Sequence, residues 1–276
     1  MRSFLPEDFD FSAPVVLLAG RGDYPRLVAQ EMKKRCEKVF VFSFEEESEI
    51  WLKACGIDYA PFEIGQVGAW LKALKKRNAR YVLLAGQIKP KKLFQGLNPD
   101  LKALWLLARL KQKNATTIFT TLIHEIEALG ITVLDARCFV EDQLVSLGNL
   151  TKKSNHINKE DLTYGIDVCR SVAKLNIGQS LIIRDGTIVI VEAFDGTDAM
   201  IERAGAICKG HMGLIKLAKT DQDFRFDVPV FGEKTLQKMS AAGIQWAALE
   251  SQKTLILNKE AILEEAEKLD INLLGF

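Results

Sequence analysis

Residues 14–25 read Pro-Val-Val-Leu-Leu-Ala-Gly-Arg-Gly-Asp-Tyr-Pro, and this stretch decides the fold of the first half of the chain. A short apolar run without alternation, closed by a glycine, is typical of a strand buried on both faces of a parallel sheet. The polar loop that follows ends at Pro25, a residue suited to the first turn of a helix. The stretch therefore predicts a strand, a tight glycine loop and a helix in succession.

The sequence at the end of this strand is repeated later in the chain. Leu-Leu-Ala-Gly closes at Gly20 and again at Gly86, and a polar loop follows each time. Ligands of open α/β sheets bind beyond the carboxyl ends of the strands. The two loops can therefore wall a ligand crevice, or they can be ordinary strand–loop turns. The candidate ligand-binding residues of this region are Gly20, Gly22, Tyr24 and Gln87.

The glycine loop points only weakly to a particular ligand. Its backbone N–H groups can approach a phosphate at the start of the helix, although a purely structural tight turn explains the same residues. Pro25 stands where a dinucleotide-binding fingerprint has its third glycine. An NAD-dependent oxidoreductase is therefore disfavoured.

Apolar runs alternate with helical patterns along the chain, which argues for βαβ units and a mostly parallel sheet. Its 276 residues favour two domains. The polar stretch 148–160 has no apolar period and is typical of a linker. We therefore predict an α/β protein with an N-terminal domain at 1–150 and a second α/β domain at 151–276.

Charge and composition limit the class of protein. Lys and Arg total 37 against 36 Asp and Glu, so bulk charge does not favour nucleic-acid binding. No apolar run approaches the ~20 residues of a membrane span, and residues 1–11 lack the pattern of a signal peptide. The five dispersed cysteines are typical of reduced thiols. We expect a cytoplasmic protein that binds no nucleic acid.

One segment departs from this neutral balance. Residues 89–113 carry seven basic side chains against one Asp, together with many Leu and a Trp. Such a segment suits an anionic lipid surface or an acyl-bearing anionic ligand, while a core helix with solvated lysines is the alternative. The candidate lipid-facing residues are Leu101, Trp105 and Leu106.

Residues 192–203 follow an apolar run and contain a cluster of carboxylates. Thr197 or Asp198 can cap the helix that begins there, and the start of that helix would attract an anion. A carboxylate such as Asp198 is also an oxygen ligand of the kind that Mg²⁺ prefers. Gly196, Thr197 and Asp198 are therefore candidate site residues, with a plain helix cap and polar loop as the alternative.

Cations and carboxylates are interleaved at residues 216–232. Lys and Arg can clamp phosphate oxygens, and an Asp can hold Mg²⁺ or act as a base toward water. If the segment is extended, Arg225 shares a face with Asp227, where its charge would keep that carboxylate ionised. A solvated charged loop is the alternative. The candidate residues are Lys216, Lys219, Gln222, Arg225 and Asp227.

These blocks resemble the UDP-2,3-diacylglucosamine pyrophosphatases of lipid A synthesis, of the two-domain type unrelated to the metallophosphoesterases. The similar stretches span nearly the whole chain and lie at 18–25, 177–179, 191–205 and 216–232. The resemblance implies a Rossmann-like N-terminal domain, a C-terminal α/β domain and a ligand cleft between them. It implies hydrolysis of UDP-2,3-diacylglucosamine to UMP and 2,3-diacylglucosamine 1-phosphate, with Mg²⁺, or else Mn²⁺, as cofactor.

The resemblance also assigns roles. Asp227 of the Arg-x-Asp-x-Pro motif is implied to be catalytically essential. The chemistry of the carboxylates themselves makes Asp198 and Asp227 the expected metal ligands. The anionic diacylated substrate suggests a peripheral contact with the cytoplasmic face of the inner membrane, and a homodimer stays open. Where the family tends to have Gly-Asp-Asp, this chain has Lys-Gln-Lys-Asn at 111–114. A non-catalytic paralog that binds a nucleotide sugar or a lipid is therefore the alternative.

Overall fold

The computed structural model describes residues 3–44, 47–87, 99–110, 114–152 and 157–276. The chain divides into two compact units. The first is Met1–Glu141 with the short segment Phe224–Phe226, and the second is Asp142–Asp223 with Asp227–Phe276. Both units are α/β, as predicted.

The first unit is built on a parallel sheet with the strand order β3-β2-β1-β4-β5. Its strands are β1 (Val15–Ala19), β2 (Val39–Ser43), β3 (Asp58–Pro61), β4 (Tyr81–Ala85) and β5 (Thr132–Val133). Its described helices are α1 (Asp23–Arg35), α2 (Glu47–Cys55), α3 (Val67–Lys76), α4 (Leu101–Arg109) and α5 (Ala115–Glu127). All residues of β1 and β4 are buried, which explains their unbroken apolar runs. The strand order reverses between these two strands, which carry the two Leu-Leu-Ala-Gly repeats.

The second unit is built on a mixed sheet with the order β6-β13-β11-β9-β7-β8. Its strands are β6 (Gly148–Asn149), β7 (Ser180–Arg184), β8 (Thr187–Val191), β9 (Met212–Lys216), β11 (Ile244–Leu249) and β13 (Asn272–Gly275), and β10 (Val230–Phe231) pairs separately with β12 (Leu255–Ile256). Its described helices are α6 (Lys159–Lys174), α7 (Gly196–Ile207), α8 (Glu233–Ala242) and α9 (Lys259–Lys268). Leu214 and Ile215 of β9 enter two different apolar clusters, because successive side chains of a strand point to opposite faces.

The hairpin of β7 and β8 positions much of the candidate site. Asp185 and Gly186 form its turn with φ values of 45° and 76°, the positive pair that a type I′ turn requires. An Asp-Gly pair between two runs of β-branched and apolar residues predicts a hairpin here, and that prediction is confirmed. Because the pairing shifts by one residue between Ile182 and Ile183, the residue after β8 returns to the start of β7, where the Glu192 N–H donates to the Ser180 carbonyl at 2.9 Å.

The predicted linker is only partly described. Gly148–Asn149 already belong to the second sheet, where they pair with Leu274 and Gly275 of β13. Residues 153–156 lie outside the described residues, and α6 begins at Lys159. The boundary near residue 150, and a ligand cleft between the domains, stay predictions.

Candidate active site

Three buried polar residues meet where β9 ends. Lys216 is the last residue of β9 and is 6% exposed. Ser180 is its register partner in the antiparallel β7–β9 pair and is fully buried. Glu192 follows β8 directly and is 8% exposed. The strand pairing therefore brings a hydroxyl, an ammonium and a carboxylate to one edge of the second sheet.

Glu192 is the centre of a hydrogen-bond network. Its Oε2 accepts from the Ser180 Oγ at 2.6 Å and from the Gln179 backbone N–H at 3.3 Å. Its Oε1 accepts from the Thr197 Oγ1 at 2.8 Å. The Thr197 Oγ1 in turn accepts from the Lys216 Nζ at 3.1 Å. One hydroxyl group thus links a buried carboxylate to a buried ammonium.

A second carboxylate, that of Asp227, lies within electrostatic reach of Lys216 and Lys219. Gln222 holds the loop between them. Its Oε1 accepts from the Lys219 N–H at 3.0 Å, and its Nε2 donates to the Asp227 carbonyl at 2.8 Å. The Asp227 N–H also donates to the Asp223 carbonyl at 3.1 Å. The structure therefore brings together four of the predicted residues of this segment: Lys216, Lys219, Gln222 and Asp227.

The environment shifts the pKa values of the two central groups. Burial lowers the pKa of Lys216, against the carboxylates of Glu192, Asp198 and Asp227, which raise it. Burial raises the pKa of Asp227, against the attraction of Lys219, a hydrogen bond from Gln222 and the attraction of Lys216. Perturbed titration of this kind concentrates at functional sites, although structural ion pairs also produce it.

Arg225 does not play its predicted part. Its Nη1 pairs with the Glu127 Oε1 at 2.8 Å, within the first unit. The neighbouring rings explain this position, because Phe226 stacks on Phe119 with centroids 5.3 Å apart and Phe224 lies 3.7 Å beneath the Arg137 guanidinium. The cations that act most strongly on Asp227 are lysines instead, and its pKa is raised where the sequence predicted a carboxylate kept ionised by Arg225.

The predicted helix cap is also wrong. Helix α7 begins at Gly196 with Asp195 at its N-cap, and the Asp195 side chain makes no capping hydrogen bond. Asp195 instead pairs with Arg203 at 2.8 Å. Thr197 uses its hydroxyl in the Glu192 network, and Asp198 lies inside the helix.

Asp198 already has two cationic partners. Its Oδ2 lies 2.6 Å from the Lys234 Nζ and 3.5 Å from the Lys238 Nζ. Although burial alone would raise the pKa of this carboxyl, the two lysines lower it. Two ammonium groups already neutralise this oxygen, and the role of Asp198 as a metal ligand stays a prediction.

The residues that the structure describes offer few other metal ligands. Within the described ranges, no three His, Cys, Asp or Glu residues lie together as a metal site. Mg²⁺ is commonly bound through one or two carboxylates plus substrate phosphates. Asp227 fits that pattern as a single protein ligand.

In the first unit, the glycines have a packing explanation. A Cβ at Gly86 would lie 2.6 Å from the Pro25 Cγ, and the Gly86 φ is +96°. The Gly20 N–H donates to the Ala85 carbonyl at 2.8 Å, and Arg21 forms an isolated bridge with Gln87. The two loops thus bind each other directly at the carboxyl ends of β1 and β4.

Two of the residues predicted for this crevice, Tyr24 and Gly22, have structural roles. Tyr24 is buried and donates its hydroxyl to the Ala136 carbonyl, so the fold uses the group that was predicted to meet a ligand. Gly22 has a φ of +102° and open space around its Cβ position, so its requirement is conformational.

Helix α4 separates the three predicted lipid-facing residues. Leu101 is 87% exposed and Trp105 47%, whereas Leu106 is only 6% exposed. Leu106 lines an apolar cavity of about 80 Å³ between side chains of α3, α4 and α5. Leu106 is therefore buried, unlike the other two, and the contact of these residues with lipid stays a prediction. Residues 89–98 and 111–113 of the basic segment lie outside the described residues.

Glu192 belongs to the carboxylate cluster of residues 192–203 but is not among the predicted site residues, and Ser180 is not predicted either. Both lie at the open end of the Asp-Gly hairpin, where Ser180 begins β7 and Glu192 directly follows β8. Pairing the two strands from the turn alone would place Ser180 opposite Val191, and a shift of register between Ile182 and Ile183 brings it opposite Glu192 instead. The Asp-Gly pair therefore predicts the hairpin but not the register that joins these two residues.

The fold and the site define a two-unit α/β protein whose second unit carries a lysine–carboxylate cluster suited to an anionic ligand. Residues 14–143 match the family model described as the LpxI N-terminal domain. Residues 146–274 match the model described as the LpxI C-terminal domain. The chain therefore belongs to the LpxI family.

Individual similar proteins agree with this result to different degrees. The UDP-2,3-diacylglucosamine pyrophosphatase LpxI of Caulobacter vibrioides is 28% identical over 226 residues, which cover 77% of this chain and 80% of that protein. A short-chain dehydrogenase structure from Oenococcus oeni PSU-1 aligns over 96% of both chains at 10% identity, with a TM-score of 0.25. A TM-score this low supports no argument about fold or function.

Proposed function

We propose that this chain hydrolyses the diphosphate of UDP-2,3-diacylglucosamine in lipid A synthesis. Water adds to one phosphorus, the bond from that phosphorus to the bridging oxygen breaks, and the bridging oxygen leaves with the other phosphate. UMP and 2,3-diacylglucosamine 1-phosphate are the products. Membership of the LpxI family and the name of the Caulobacter vibrioides relative support this substrate.

The observation that carries the proposal is the half-buried Asp227 carboxylate within reach of two lysines. Hydrolysis of an anhydride requires neutralisation of phosphate charge and a correctly placed water. Lys216 and Lys219 can neutralise the diphosphate oxygens. Asp227 can orient the water and accept its proton, and the raised pKa of its carboxyl brings the base nearer to neutral pH.

We further propose Mg²⁺ as cofactor, or Mn²⁺ in its place, held by Asp227 and the substrate phosphates. When bound, such an ion supplies charge neutralisation at the phosphorus that is attacked. A sample treated with EDTA should lose turnover, and added Mg²⁺ or Mn²⁺ should restore it. Full turnover in excess chelator would contradict the metal proposal.

The direct test is product analysis. Purified protein incubated with UDP-2,3-diacylglucosamine and Mg²⁺ should release UMP and 2,3-diacylglucosamine 1-phosphate in equal amounts, measured by mass spectrometry. The matched control is the Lys216→Met variant at the same concentration, which should release far less. Release of neither product by a folded wild-type sample would contradict the proposal.

One observation favours a second function, that of a non-catalytic binding protein. Asn114, in the region where the family tends to Gly-Asp-Asp, caps α5 by accepting from the Thr117 N–H at 2.9 Å. If the family uses a carboxylate there, this chain has replaced it with a helix cap. Calorimetry would then detect binding of UDP-2,3-diacylglucosamine without release of UMP.

We also propose that the protein works in the cytoplasm, at the inner face of the membrane. Within the described ranges, no helix combines the length and apolar character of a membrane span. The exposed part of α4 supports peripheral contact instead, since Leu101 and Trp105 project beside Lys102 and Arg109, whose charges lie 4.5 and 4.4 Å from the Trp105 ring. A homodimer stays a prediction.

A further inference from the structure

The side chain of Glu192 is held in place by burial and by several hydrogen bonds. It is 8% exposed, and both of its oxygens accept hydrogen bonds, from Ser180, Thr197 and the Gln179 N–H. A Cβ at Gly178 would lie 2.2 Å from the Glu192 carbonyl oxygen. Only glycine therefore fits at position 178, where the chain packs closely against the main chain of Glu192.

This fixed carboxylate sets the direction of the next group. A threonine hydroxyl has one proton, and Thr197 donates it to the Glu192 Oε1. The hydroxyl must therefore present a lone pair to its other neighbour, the Lys216 Nζ at 3.1 Å. An ammonium has three donors, so after the bond to Thr197 two remain for acceptors outside this network.

We propose that Glu192 is a positioning residue, which acts through the Thr197 hydroxyl to aim the Lys216 ammonium at the diphosphate oxygens of the substrate. Ser180 and the Gln179 N–H hold Glu192 for this purpose. The inference rests on the proposed function and adds three residues to it: Glu192, Ser180 and Thr197 as the support of Lys216. Thr197 thus acts on the substrate only through the lysine.

The surrounding charges are consistent with this role. Burial alone lowers the pKa of Lys216, and the groups that raise it are Glu192, Asp198, Asp227 and Cys169. Asp198 is occupied by Lys234 and Lys238, so Glu192 is the carboxylate joined to Lys216 through a hydrogen-bonded path. Removal of that path should leave the ammonium misdirected.

A double-mutant cycle tests this role. The variants are Glu192→Gln, Lys216→Met and the two combined, and the measured quantities are the Kd for UDP by calorimetry and kcat/KM for UDP-2,3-diacylglucosamine. Glutamine keeps the volume of Glu192 and loses an acceptor and the charge. Lys216→Met should weaken UDP binding by about 10- to 100-fold, the range of a charge-assisted hydrogen bond.

The expected result is strong non-additivity. Glu192→Gln alone should weaken UDP binding at least fivefold, and it should add nothing in the Lys216→Met background, because its target is then absent. Thr197→Val should resemble Glu192→Gln, while Thr197→Ser, which keeps the hydroxyl, should stay close to wild type. The matched control is Glu265→Gln, a carboxylate on the exposed face of α9 paired with Lys268, which should change nothing.

The possible outcomes separate this inference from the proposed function. Additive effects of Glu192→Gln and Lys216→Met would overturn the inference, as would equal effects of Thr197→Val and Thr197→Ser. A wild-type chain that binds UDP and releases no UMP would overturn the proposed function. The double-mutant cycle measured by the Kd for UDP would still test the role of Glu192. A wild-type chain that neither binds nor hydrolyses would overturn both. If Glu192→Gln does not fold, the two Thr197 variants supply the same comparison.

Discussion

The Lys216 Nζ and the Thr197 Oγ1 lie 3.1 Å apart, and this contact joins the end of β9 to the first turn of α7. Two separate motifs of the sequence, the Gly-Thr-Asp block and the lysine-rich block, are therefore parts of one site. Asp227 interacts with the same lysine from the loop that follows. The ammonium of Lys216 therefore links the Thr197 hydroxyl and the Asp227 carboxylate electrostatically.

The Tm of an Asp227→Asn variant should show that the ionised Asp227 carboxylate destabilises the folded state. The folded state raises the pKa of Asp227, chiefly by burial, so it holds the proton more tightly than the unfolded chain does. The stabilisation is then present below the ordinary value of 3.8 and is lost as pH rises through the folded-state pKa. At pH 7 the asparagine variant should have a Tm equal to or above that of wild type, and this advantage should shrink toward pH 4. A clearly lower Tm at pH 7 would indicate a structural role.

The pH dependence of kcat/KM should report Lys216. Burial, opposed by the nearby carboxylates, lowers its pKa below the ordinary 10.5, so the charged clamp is lost at a lower pH than an exposed lysine would allow. The alkaline limb should therefore have a midpoint below 10.5. In Lys216→Arg the guanidinium stays charged, and residual activity should persist to higher pH. An unchanged alkaline limb in Lys216→Arg would assign that limb to another group.

Leu106 and Leu101 form a matched pair for stability. Leu106 is buried against the cavity beside α3 and α5, while Leu101 is 87% exposed on the same helix. Leu106→Ala should lower the free energy of unfolding by about 2–5 kcal/mol, and Leu101→Ala should change it by less than about 0.5 kcal/mol. Denaturant titration measures both. Equal effects would contradict the burial pattern of α4.

Lipid association should depend on the exposed face of α4. The double change of Leu101 and Trp105 to Ser removes apolar surface beside Lys102 and Arg109, so binding to vesicles that contain anionic lipid should fall severalfold in a sedimentation assay. Leu175→Ser, at a 71% exposed position of the second unit, is the matched control. Equal binding by all three proteins would contradict membrane contact through α4.

Local patterns predicted much of the fold. The apolar run after Pro14 gave β1, and Asp185-Gly186 gave the β7–β8 hairpin, because strand burial and turn geometry depend on neighbouring residues. Helical periodicity can also separate Leu106 from Leu101 and Trp105. At 3.6 residues per turn, Trp105 lies about 40° from Leu101 around the helix, whereas Leu106 lies about 140° away.

Side-chain partners distant in sequence could not be predicted. Arg225 pairs with Glu127, 98 residues earlier, because two phenylalanines anchor its segment to the first unit. Asp198 finds its lysines on α8, more than thirty residues later. No local pattern encodes such choices, since they depend on which helices and loops pack together.

The most direct test of the account is kcat for Asp227→Asn at saturating UDP-2,3-diacylglucosamine and Mg²⁺. The control is Asp221→Asn, the same change at an exposed position of the same loop. Asp227→Asn should lower kcat by about 10²–10⁴, the range of a positioned general base, and Asp221→Asn should leave it within about threefold of wild type, as expected of an exposed residue away from the reacting atoms. A folded Asp227→Asn variant that also stays within threefold of wild type would contradict the central claim that this carboxylate acts on the attacking water.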